Sequence, residues 1–506
     1  AILNTPWAGL CRGYWMYESI SVYHVDFSAS SLFVSKFGVI RTFFFLPDNE
    51  VNAMSRSHPL QSQLFPPYAA ALCGGAGLLL LLLALCRTAG LSDAPSRLPV
   101  GLCLVLLCAL AAGLLFYEDR RPGAALFALL PIGLALFLRA LCLEHVTYDY
   151  RDFLSGWASF FRENGGWAAV ALPKGNYNVP YLYFLAAISY LPVRDLYLIK
   201  LFSMLFDVLL AWGGYRLVRR LSVPGSYCPC TAFCILLLLP TVVLNGAYWA
   251  QCDSIYGALC LHALASALDR RPAGSVVLLA LAFSFKLQTV FLVPLWGALW
   301  FAGRVRFRDL LLFPATYVLT IVPALFLGKP LGDILGVYFG QAAEYSDYLT
   351  LNAPSLYALI PYGAEVDTTL AARLGILAAF LFTVSILLWL LLRRGRLTDR
   401  ALFTAGAAFA VGIPLLLPHM HDRYFFLADT ITLCWACLDR RRGIPAAILV
   451  QVASLGAYHA YLMLRYAFPM AWGSLMLLAT LIWTLFCLYQ EWRHGEGGPV
   501  RRRRPP

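Results

Sequence analysis

The sequence predicts an all-α fold: a polytopic bundle of about 12–14 membrane helices, with an amphipathic interfacial helix in its first large outer loop. Three observations lead there. Of the 506 residues, 60% are hydrophobic and only 13% charged, and the mean hydropathy is +0.69, too apolar for an ordinary soluble globule. Runs such as Leu78–Leu85, Leu102–Leu115, Leu126–Leu138 and Phe380–Leu392 lie in segments approaching the roughly 20 apolar residues that a helix needs to cross a bilayer. They are also too long and continuous for barrel strands, the other way to satisfy a backbone in lipid. The third observation is that the arginines gather in short loops between these runs.

In chain order, residues 1–53 come first and fit poorly. They do not begin with Met, lack the signal-peptide order of charge, apolar run and small-residue cleavage site, and hold no full-length apolar span. Met54 opens a more ordinary beginning, so the expectation is a true start there, with 1–53 an artefact of the gene model or a disordered leader. Helices are then drawn over 70–87, 99–117, 122–142, 194–217, 228–245, 253–268, 274–285, 288–303, 310–327, 372–392, 401–418, 424–438, 444–465 and 470–490. The division expected is extra N-terminal helices over 54–121, a main transmembrane helical domain over 122–490 and a basic cytoplasmic tail over 491–506.

The net charge of +12 does not call for nucleic acid, because loop arginines in a membrane protein report topology. One loop class holds Arg120 and Arg121, Arg216 to Arg220, Arg270 and Arg271, Arg304 to Arg308, Arg393 to Arg396, Arg440 to Arg442 and the tail Arg501–Arg504. The positive-inside rule makes that class cytoplasmic. The opposite class contains Glu144–Tyr183, Asn245–Asp253, Lys286, the loop Lys329–Asp367 and His419–Arg423, and is expected to be the working face. Most of the 14 cysteines sit in apolar segments as small hydrophobes, and Cys228 with Cys230 offers no second metal-ligand pair.

Four constellations on that face could carry chemistry. In Tyr148-Asp149-Tyr150-Arg151-Asp152 a carboxylate at the water–lipid boundary could take a proton from an acceptor hydroxyl. Behind it Phe153, Trp157, Phe160 and Phe161 recur at helical spacing opposite Arg162 and Glu163, the pattern of an interfacial helix; ordinary solvated charge is the plainer reading. Asn245, Trp249, Gln251 and Asp253 supply amides, a stacking ring and a carboxylate, equipment for holding a sugar, although Asp253 alone could be a helix cap. Lys286, between apolar stretches, needs an anionic partner: a lipid phosphate, Asp149 or Asp253. In Pro418–Tyr424, His419 and His421 make half of a divalent-cation site without a third ligand, so a divalent cation stays the lesser reading with no cofactor certain, and Arg423 suits a phosphate clamp better.

At TYDYRDFLSGW, NYNVPYLYFLAAISYLP, NGAYWAQCDSIYGA, AFSFKLQ, LNAPSLYALIP and PHMHDRYFF, in series over about Leu126 to Leu438, the chain resembles the GT-C superfamily of membrane glycosyltransferases, in particular bacterial mannosyltransferase-like proteins. The resemblance implies a polyprenyl-phosphate monosaccharide donor and an active site on the outer face of a bacterial cell membrane. It puts the catalytic acid on Asp149, with Asp152 as runner-up, and the donor phosphate on Lys286 and Arg423, with His421 assisting. Asn176, Tyr177, Asn178, Trp249, Gln251, Asp253, His419 and Asn352 would hold sugar or acceptor, the latter a glycan, lipid or protein. The chain departs from the simplest family layout in its two extra N-terminal helices and its lack of a soluble outer domain. The rival expectation is a transporter or flippase for a lipid-linked or small polar solute, which intramembrane Lys286 would suit.

Overall fold

The computed structural model describes residues 67–343, 346–361 and 363–494. The expected start at Met54 and the tail beyond 494 lie outside them. The described chain is an all-α polytopic bundle whose helices are, in order, α1 (Pro67–Ala89), α2 (Arg97–Glu118), α3 (Pro122–Cys142), α4 (Ser155–Glu163), α5 (Val179–Ile188), α6 (Asp195–Leu221) and α7 (Cys228–Leu238). They continue as α8 (Asp253–Leu268), α9 (Pro272–Phe285), α10 (Pro294–Phe301), α11 (Leu312–Phe326), α12 (Leu331–Ala343), α13 (Thr368–Leu392), α14 (Asp399–Leu416), α15 (Phe426–Leu438), α16 (Arg440–Leu462) and α17 (Met470–His494).

All fourteen segments drawn from the sequence are found, but among the described residues only nine helices are long and apolar enough to cross a membrane alone. A tenth arises if α7 and the turn from Pro240 to Tyr248, bent by 46°, are taken as one span. The shortfall has a local cause. Pro240 bends the span after α7, since proline cannot donate the next helical bond. Likewise, α9 stops where Lys286 adopts extended backbone (φ −151°, ψ 130°). Breaks that free backbone groups at membrane depth are tolerated where protein or a cavity surrounds them.

The starts follow elementary capping. α1, α3, α9 and α10 open on proline, whose missing N–H costs nothing in a first turn. Asp367, Thr398 and Asp439 turn side-chain oxygens onto the first-turn N–H groups of α13, α14 and α16. α4 is the expected amphipathic helix: Trp157 and Phe161 are buried while Arg162 and Glu163 face outward.

The arginine-rich loops meet at one end of the bundle. Asp399 accepts from both Arg220 (2.9 Å) and Arg304, and Asp269 lies 3.5 Å from Arg216 and Arg220. α8 runs from there to the opposite end, where its first residue, Asp253, enters the cluster described next.

Candidate active site

Two loops are fastened to α6 before they meet. Lys200, fully buried, donates to the carbonyls of Cys142 (2.7 Å), Leu143 (3.2 Å) and His145 (2.7 Å), satisfying the chain as it leaves α3. One and two turns further along the same face of α6, Ser203 donates to the Gln251 carbonyl at 2.6 Å, and Asp207 pairs with Arg139 at 2.9 Å and accepts from Ser254 at 2.5 Å. Thr147 ties the two loops together, donating to the Trp249 carbonyl at 3.1 Å. Between Trp249 and Gln251, Ala250 sits at φ +65°, a left-handed conformation that an L-residue adopts only when its surroundings impose it.

The result converges on Asp149. One carboxylate oxygen accepts from Trp249 Nε1 at 2.8 Å and Gln251 Nε2 at 2.6 Å, and the other accepts from the Tyr461 hydroxyl. Arg423 Nη1 stands 3.7 Å from the first of these oxygens. Tyr461 stacks on Trp249 with centroids 4.6 Å apart, and the Arg423 guanidinium lies 5.3 Å from the same indole centroid. Charge-assisted bonds of this kind are about twice as strong as neutral ones, so they fix the carboxylate in place.

Beside it, Asp253 is fully buried and pairs with Lys286, which is the anionic partner that lysine needed. Its other oxygen accepts from Asn245 Nδ2 at 2.7 Å, and that amide nitrogen is also 3.1 Å from the Tyr458 hydroxyl. Arg423 Nε lies 3.8 Å from Asp253 and its Nη1 3.6 Å from Asp422. Burial pushes the Asp422 carboxyl up to about 7, against the pull of Arg423. Burial, then the charges of Arg423 and Lys286, hold the His421 imidazole down at about 3, so it is neutral near pH 7 and can offer a hydrogen bond but no charge.

The other predicted residues stand further from this knot. Asp152 pairs with its neighbour Arg151 at 2.8 Å and is a third exposed. Tyr177 donates to Gln251 Oε1 at 3.2 Å and so reaches Asp149 at one remove. Asn178 caps α5 through Val179 N (2.8 Å) and donates to the hydroxyls of Tyr317 (3.4 Å) and Tyr338 (3.1 Å). The Asn176 carbonyl accepts from Gln341. His419 and Asn352 join two loops: β1 (Thr350–Leu351) pairs in parallel with β2 (Met420–His421), His419 Nδ1 meets the Tyr348 carbonyl at 2.6 Å, and Asn352 accepts from Tyr466. Among the described residues no three His, Cys, Asp or Glu side chains converge to hold a metal ion.

Sequence reasoning missed Tyr461, Tyr458 and the α6 anchors. The tyrosines lie beyond the stretch that carries the resemblance. The anchors had a signal: Lys200, Ser203 and Asp207 recur at i, i+3 and i+7, a polar stripe on an otherwise apolar helix. Compared with known proteins, the chain matches no family model and no curated protein sequence.

Proposed function

We propose that the protein is a membrane glycosyltransferase of GT-C type. It moves a monosaccharide, a mannose-like hexose favoured, from a polyprenyl-phosphate donor to an acceptor on the extracytoplasmic face, and the bacterial cell membrane is its expected home. The observation that carries this reading is the convergence of Asp149, Trp249, Gln251, Asp253, Lys286 and Arg423 at the end of the bundle opposite the arginine-rich loops.

In the proposed reaction an acceptor hydroxyl displaces one of the donors now on Asp149 and gives that carboxylate its proton. The acceptor oxygen forms the new bond to the anomeric carbon as the bond from that carbon to the phosphate oxygen breaks. Polyprenyl phosphate leaves with the electron pair, and the configuration inverts. Trp249, expected from the sequence to stack on the sugar, is fully buried between Tyr461 and Arg423 and instead orients Asp149 through its indole N–H, while Tyr177 with Gln251 supplies hydrogen bonds. Convergence in one cluster opposite the arginine-rich loops, rather than in two corresponding halves, supports transfer over transport.

The test is incubation of the purified protein with a panel of polyprenyl-phosphate sugars and a mixed glycan and lipid acceptor pool, following release of polyprenyl phosphate. Release from at least one donor is expected. Movement of an intact lipid-linked sugar across proteoliposomes without release would replace this reading with the transporter.

A further inference from the structure

The charge balance around Arg423 is wrong for capturing an anion. Lys286 and Arg423 contribute two positive charges, yet Asp149, Asp253 and Asp422 surround them with three carboxyls. Even with Asp422 protonated the group is neutral, and Lys286 is already engaged with Asp253.

A different place has the opposite balance. A cavity of about 440 Å³ opens between the segment leading into α5 and the first turns of α12, with Tyr177 and Asn178 in its wall. Lys174 and Lys329 line it against a single acid, Asp333. Lys329 is only 8% exposed, and its ammonium bonds the Leu172 carbonyl at 3.1 Å. Among the described residues no carboxylate lies within ion-pair distance of it. A buried ammonium whose hydrogen bond goes to a neutral carbonyl is costly to keep charged, and burial draws the Lys329 pKa below its usual value, against the pull of the Asp333 charge. The N-terminus of α12, thirteen residues long, adds its own partial positive charge. Gly332 and Gly336 leave the wall open, since a Cβ on either would meet nothing within 4 Å.

Chemistry on the rim identifies the ligand further. Beside the glycines, Leu331, Leu335 and Phe339 recur every fourth residue on α12 and are 49%, 46% and 79% exposed, with Phe326 at 88% just before them. An anion pocket flanked by an apolar stripe suits a phosphate carrying a hydrocarbon chain better than free phosphate. From the wall, Tyr177 bonds Gln251, and Gln251 bonds Asp149, so the cavity adjoins the carboxylate through two side chains.

We propose that this cavity binds the phosphoryl headgroup of a lipid-linked ligand between Lys174 and Lys329, in place of Lys286 and Arg423. Calling that ligand the sugar donor rests on the transferase reading.

The test measures binding of polyprenyl monophosphate, and separately of inorganic phosphate, to the full chain in nanodiscs. Lys329→Gln and Lys174→Gln remove charge, Gly336→Leu fills the cavity with both charges kept, and Arg151→Gln is the exposed control. Wild type and Arg151→Gln should bind polyprenyl monophosphate alike. Each lysine variant should bind about tenfold or more weakly, as loss of one charge-assisted bond implies, and Gly336→Leu should weaken binding at least as much by occupying the headgroup's space. If Lys329→Gln does not fold, the other two variants carry the test. Equal binding by wild type and every cavity variant overturns this assignment and leaves the transferase reading standing. Binding of inorganic phosphate alone, weakened by the same variants, keeps the anion pocket but overturns the lipid ligand. No binding of either probe by wild type overturns the proposal outright.

Discussion

Asp149 and Asp422 sit on either side of Arg423 in different electrical circumstances. Asp149 accepts three hydrogen bonds, whereas Asp422 is buried with one oxygen that no hydrogen bond reaches. A folded-state value near 7, above the usual 3.8, means the folded protein holds a proton on Asp422 that the unfolded chain releases. That contribution to stability is complete below about pH 4 and lost as pH rises through about 7. His421, held down to about 3 from 6.5, works the other way, its contribution being present above pH 6.5 and lost as pH falls through 3. The two overlap, so the difference between proteins isolates Asp422: Tm of wild type minus Tm of Asp422→Asn should fall as pH rises from about 4 to about 7. A difference independent of pH would show that Asp422 keeps an ordinary affinity for its proton.

The residues of this knot were legible to different degrees. Asp149, Trp249, Gln251, Asp253, Lys286 and Arg423 could be singled out because each is a polar side chain in a loop between apolar runs, where ordinary packing does not need it. Tyr461 could not, because a tyrosine near a membrane helix end is ordinary interfacial composition, and only folding brings α16 back against the loop after α3.

Helix packing explains why the bundle holds its form without a hydrophobic drive between helices in lipid. α1 and α3 touch backbone to backbone: a methyl at Gly133 would overlap the Gly77 carbonyl, and one at Gly77 would overlap Leu129. Gly113 on α2 faces open space. Gly133→Val should therefore lower stability by about 2 kcal/mol or more and Gly113→Ala should leave it near wild type, as read by thermal unfolding in one detergent. Equal stability of all three proteins would mean that the α1–α3 crossing does not form. Helix positions were readable from apolar runs to within a few residues, because length and proline placement mark them. Their division into full spans and half-length pieces was not, since a break at Pro240 or Lys286 is permitted only by the protein packed around it. The short α12 escaped notice too: its glycines at 332, 336 and 340 weaken a helical pattern that folding nonetheless completes.

Across the whole molecule, the two classes of loop separate as their charge pattern suggested. The arginine-rich loops are knitted by Asp269 and Asp399 at one end, and the knot around Asp149 closes the other. Buried between them, Arg139 and Asp207 neutralise each other within the helices, and Ser254 links that pair to the first turn of α8, the helix headed by Asp253. An ion pair buried among the helices in this way is scaffolding for the site, although one guanidinium nitrogen of Arg139 has no hydrogen-bond partner. The proposed reaction depends most on Asp149 accepting the proton in glycosyl transfer. The direct measurement is single-turnover release of polyprenyl phosphate from a bound lipid-linked sugar, in reconstituted wild type and Asp149→Asn matched for donor binding and thermal stability. Release at least about a hundredfold slower is expected in the variant, and full transfer by Asp149→Asn would rule out this role for the carboxylate.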